Sequence, residues 1–141
     1  VTPSSASRPA SPVDAEVKVV RPPAAEADEK GRRHAVTTLT VGEDETVFPG
    51  HYPGFPIFPG VCVIECVHLS GLATLPPGAG GAELAAVEST RFLSPVFPGD
   101  QLDVELTWTR TSDAWSCKAQ VTTVRGVAAQ MRLRFTAEET A

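Results

Sequence analysis

The chain has 141 residues, 42% of them hydrophobic and 21% charged, enough for one domain with a real core and too few for two. Its 12 Lys and Arg against 17 Asp and Glu leave a formal net charge of −5, with the cations scattered, which argues against a nucleic-acid surface. No apolar run reaches the ~18 residues that a membrane-spanning helix needs, and no signal-peptide pattern opens the sequence.

In chain order, residues 1–13 are Pro, Ser and Ala with nothing to bury, so they read as a disordered arm or linker. A start at Val rather than Met is expected of a trimmed chain or of a segment excised from a longer protein. The first strand is expected over Ala15–Val20, stopped by Pro22-Pro23. The β-branched run Arg33–Val41 makes a second strand, and the two form a hairpin. A stiff loop follows. Three aromatic-Pro-Gly triplets (Phe48-Pro49-Gly50, Tyr52-Pro53-Gly54, Phe58-Pro59-Gly60) punctuate it, and a fourth recurs at Phe97-Pro98-Gly99. Each Pro fixes φ and each Gly permits a bend, so such a loop costs less entropy to order around a held side chain.

Val61–Leu75 is apolar almost throughout, and its length favours a buried helix, entered after Pro59-Gly60 and ended by Pro76-Pro77. A helix apolar on every face must be wrapped by other structure. Strands are expected over Glu83–Phe92, Gln101–Arg110, Ala114–Val124 and Val127–Thr136, joined by short turns. Trp108 and Trp115 read as core or dimer packing. The fold class is therefore α+β: an antiparallel sheet wrapped around one central buried helix, with the domain over residues 14–137 and a short tail at 138–141. Cys62, Cys66 and Cys117 are too few for a disulfide framework and lack the ligand spacing of a metal site. They read as small buried hydrophobes in a reducing, cytoplasmic protein.

Two residues conflict with this quiet picture: His51 in the Pro/Gly loop and Glu65 inside the apolar run. A carboxylate there loses hydration and needs a partner or a task. Separately, a loop histidine and a helix glutamate are ordinary. Together they offer a base that works near neutral pH and an acid whose charged form burial disfavours. The helix start at Gly60 adds free backbone N–H groups for a carbonyl that gains negative charge. Base, acid and oxyanion donor are what proton abstraction beside a thioester carbonyl requires, followed by loss of a β-hydroxyl as water.

The stretch GHYPGFPIFPGVCVIECVHL resembles the signature of the β-hydroxyacyl-acyl carrier protein dehydratases, a hot-dog-fold family, with His51 and Glu65 at the family's separation. A second block, STRFLSPVFPGDQ at Ser89–Gln101, resembles the family's strand and PGD turn, and the likeness runs over about residues 15–136. The resemblance implies a hot-dog fold in which His51 is the general base and Glu65 its partner acid. Gly60, Val61 and Leu69 would line the substrate, with the Gly60 N–H on the thioester carbonyl and no metal or cofactor. The substrate would be an acyl chain on the phosphopantetheine arm of an acyl carrier protein. The chain would work as a homodimer, or as a heterodimer with a paralogous subunit, in fatty-acid or polyketide synthesis, without nucleic acid or membrane. Two positions depart from the family: Leu69 stands where Gln is usual, and His68 where a small residue is usual. They keep open a second reading, a non-catalytic or half-catalytic subunit that completes a partner's site. A hot-dog thioesterase is a third and weaker one.

Overall fold

A computed structural model describes residues 16–41, 60–97 and 99–137. Six strands and one helix fill them: β1 (Lys18–Arg21), β2 (Arg32–Thr40), α1 (Gly60–Ala73), β3 (Leu84–Phe92), β4 (Gln101–Arg110), β5 (Ala114–Thr123) and β6 (Gly126–Thr136). They make one antiparallel sheet in the order β1-β2-β4-β5-β6-β3. β4, β5 and β6 form a meander, whereas β3 crosses to the far edge and pairs with β6.

The period-two pattern decides which face is covered. Leu102, Val104, Leu106 and Trp108 alternate with exposed or half-exposed residues along β4, and all four are buried. Register then stacks them in rows: Trp108 lies opposite Arg33 on one side and Cys117 on the other, and Cys117 lies opposite Leu133. Trp108 meets Trp115 edge-on at 6.3 Å and Phe135 at 5.1 Å. Both tryptophans are core residues, and all three cysteines are buried.

α1 lies on this apolar face through its smallest side chains. Cys62, Cys66 and Ser70 form one buried row, and Val63, Val67 and Gly71 the next. Small residues let the backbone approach closely: a Cβ on Gly71 would sit 2.9 Å from the buried Phe135 ring. Polar atoms in the seam are paired. The Thr37 hydroxyl donates to Ser70 Oγ at 2.7 Å, Thr74 Oγ1 donates to the Ser70 carbonyl at 2.9 Å, and Trp108 Nε1 donates to Thr74 Oγ1 at 3.3 Å. The helix ends two residues before the expected Leu75 because Thr74 tightens the last turn, its N–H bonding to the Gly71 carbonyl at 3.1 Å.

Apolarity all round led us to expect a fully wrapped helix. Among the described residues the cover is partial instead: Val61 is 67% exposed and Leu72 40%, while Ile64, Glu65, His68 and Leu69 between them are half-buried. β1 is also shorter than expected and exposed along its length, as an edge strand without apolar alternation. Val41, the last described residue before Gly60, is tied to the PGD turn, its N–H donating to the Asp100 carbonyl at 2.8 Å and its carbonyl accepting from Gly99 at 2.6 Å. The Asp100 carboxylate in turn accepts from the Phe97 N–H at 2.8 Å and from Arg125, whose guanidinium covers the Phe97 ring at 4.8 Å. None of the helices among the described residues is long and apolar enough to cross a membrane.

Candidate active site

Glu65 is placed by the helix repeat. The rows 62-66-70 and 63-67-71 face the sheet, so positions 61, 64, 65, 68, 69 and 72 fall on the other side. There Val61, Ile64, Glu65, His68, Leu69 and Leu72 form a largely apolar face that carries one carboxylate and one imidazole. Glu65 is half-buried, its side chain 22% exposed, and Ile64 and Leu69 turn partly toward the core. His68, one turn on, brings Nδ1 to 3.2 Å from Glu65 Oε1. Its ring stands 6.2 Å from Phe135, tilted by 37°.

Gly60 opens the helix, so its N–H has no intrahelical acceptor. A Cβ at this position would meet the Phe92 ring at 2.9, 3.1 and 3.3 Å. Glycine thus lets Phe92, on the edge strand β3, lie across the helix start. Between them runs a groove of about 410 Å³ lined by Gly60, Val63, Phe92, Leu93, Pro95 and Ala128, among others. A larger concavity of about 600 Å³ lies among solvent-facing residues of β3–β6 such as Arg91, Lys118 and Arg132, and no residue of α1 lines it. The apolar groove at the helix start is the better match to an acyl thioester.

The structure thus gathers Gly60, Val61, Glu65 and Leu69 on one helix. His51 lies outside the described residues. Two neighbours escaped the sequence reading. The spacing from 65 to 68 is visible in the sequence, since residues three apart on a helix face one another, but the sequence alone does not pair His68 with Glu65. Phe92 carried no local signal, because its place over Gly60 depends on β3 crossing the sheet.

One helix laid across the face of a six-stranded antiparallel sheet is the hot-dog fold. Residues 26–132 match the family model of the ApeI-like proteins, described as ApeI dehydratase, and the chain belongs to that family. Among curated relatives, the 3-hydroxyacyl-acyl-carrier-protein dehydratase FabZ of Symbiobacterium thermophilum is 45% identical over 82 residues, covering 55% of this chain and 57% of that protein. The chain therefore spans little more than half the length of that relative. The FabZ of Bacillus pumilus is 33% identical over 111 residues, 75% of this chain and 77% of that one. Among solved structures, the dehydratase heterocomplex ApeI:P from Xenorhabdus doucetiae superposes with a TM-score of 0.60 at 22% identity, over 77% of this chain and 92% of that one.

Proposed function

We propose that this chain dehydrates a 3-hydroxyacyl thioester, carried on the phosphopantetheine arm of an acyl carrier protein, to the 2-enoyl thioester. His51 takes the proton from C2. Glu65 gives its proton to the hydroxyl at C3 as that C–O bond breaks, and water departs. The Gly60 N–H stabilises the charge that builds on the thioester oxygen. The observation that carries this reading is Glu65: the one carboxylate of an otherwise uncharged apolar helix apart from His68, half-buried, on the same helix whose first residue, Gly60, lines an apolar groove. A solvated structural glutamate would sit on a polar face, so the largely apolar surroundings of Glu65 support its reading as the acid.

The exposed Val61 and Leu72 of α1 and the β3 edge also bear on assembly. Among the described residues β3 is an edge strand of nine residues with one side unpaired, and Val87 and Phe92 on it and Leu93 after it are exposed. A second copy of this chain, or a paralogous subunit, would extend the sheet there and cover α1. The relative solved as a heterocomplex makes the paralogue a natural alternative to the second copy. Wild-type protein incubated with a 3-hydroxyacyl-carrier substrate should yield a product lighter by one water with the acyl group still attached. Loss of the whole acyl group would mark a thioesterase, and an unchanged substrate a non-catalytic subunit.

A further inference from the structure

We propose that His68 is a positioning residue for Glu65, holding one carboxyl oxygen so that the other carries the catalytic proton. The inference rests on the reading of Glu65 as the acid. Nδ1 of His68 lies 3.2 Å from Oε1, and both side chains are mostly sheltered, 24% exposed for His68 and 22% for Glu65. The imidazole is itself backed by Phe135, which is fully buried and fixed in the core beneath Gly71. Leu69, the other residue one turn on from Glu65, has no polar atom to offer.

The chemistry of the two groups sets the direction of the bond. An ionised carboxylate only accepts, so Nδ1 must be the protonated ring nitrogen once Glu65 has given up its proton. With Nδ1–H on Oε1, the proton of the neutral acid resides on Oε2. That oxygen protonates the departing hydroxyl, the C3–O bond breaks, water leaves, and Glu65 remains as a carboxylate still held by the same donor. His68 neither gains nor loses a proton, and exchange with solvent restores the acid. The helix holds the two Cα atoms at a fixed three-residue offset, and the imidazole bond restricts the carboxyl plane; small displacements of reacting groups can cost up to about 100-fold in rate.

The test uses the full chain and three variants. His68→Phe keeps a ring against Phe135 and removes the donor. His68→Asn places an amide nitrogen near the position of Nδ1, whereas the longer amide of His68→Gln matches Nε2. The expected result is a melting temperature close to wild type for all three. For His68→Phe, kcat should fall by about 10- to 100-fold with little change in KM. His68→Asn should recover most of the loss and His68→Gln less of it. Wild-type kcat in His68→Phe overturns the proposal. A second measurement does not depend on turnover: nitrogen NMR of the His68 ring should show the proton on Nδ1 in wild type, and Glu65→Leu should remove that preference. A wild-type ring protonated only at Nε2 overturns the pairing even if the enzyme dehydrates. A wild type with the Nδ1 signature that does not dehydrate its substrate overturns the dehydratase reading instead.

Discussion

Thr37 on β2 donates a buried hydrogen bond to Ser70 on α1 at 2.7 Å, and this contact sets how the helix is rotated on the sheet. With Ser70 turned down to Thr37, the geometry of the helix leaves Glu65 and His68 on the half-buried side away from the Thr37–Ser70 contact. A small polar pair in an apolar seam has one good arrangement, because any other leaves a buried hydroxyl without a partner.

Breaking that pair from one side should therefore cost more than removing it. Thr37→Val or Ser70→Ala alone is expected to destabilise by about 1–3 kcal/mol, the cost of leaving one hydroxyl unsatisfied. The double variant should be less unstable than the sum of the two. Urea unfolding of all four proteins gives the coupling directly; strict additivity would show that the two hydroxyls act independently.

The two close-packed glycines of α1 should respond differently to a methyl group. At Gly71 the Cβ meets Phe135, which is fully buried and cannot move away, so Gly71→Ala should cost about 1–3 kcal/mol by overpacking. At Gly60 the obstacle is Phe92, 50% exposed and free to swing outward. Gly60→Ala should thus leave stability nearly unchanged while altering the groove, and be seen in KM rather than in the melting temperature. Equal melting temperatures for the two variants would contradict this.

Much of this architecture was legible. The alternation Leu102-Val104-Leu106-Trp108 marked β4 at its observed bounds, and the strand ends elsewhere fall within a few residues of the turns that Gly and Pro announce. Glu65 stood out because one charge in a long apolar run has few explanations. Long-range facts were not legible. That β3 pairs with β6, and so brings Phe92 over Gly60, is decided by packing of the whole sheet. The exposure of Val61 and Leu72 was hidden too, since an apolar helix reads alike whether its own sheet or another subunit covers it. His51 lies outside the described residues, so its place rests on the motif alone.

The β1–β2 turn carries a pH signature independent of the site. Asp28 accepts from the N–H groups of Arg32 and Lys30, both at 2.9 Å, and sits beside the Arg32 side chain and His34. The backbone bond from Arg32 above all draws its pKa from 3.8 down to about 2. A carboxylate whose folded pKa is depressed adds stability above its unfolded value, and that stability is lost as pH falls through the folded one. The stability gap between wild type and Asp28→Ala should accordingly hold constant above about pH 4 and close as pH approaches 2. Thermal melts across this range test it, and a gap that widens in acid would contradict the assignment.

The acid role of Glu65 is tested most directly by the turnover of Glu65→Gln on a 3-hydroxyacyl-carrier thioester beside that of wild type. Glutamine keeps the size and hydrogen bonding of the side chain and removes the transferable proton. Because Glu65 faces away from the sheet, circular dichroism and melting temperature should be unchanged while dehydration falls by about 10²–10⁴. His51→Ala should fall by a similar factor if it is the base. Wild-type turnover in a correctly folded Glu65→Gln would contradict the account.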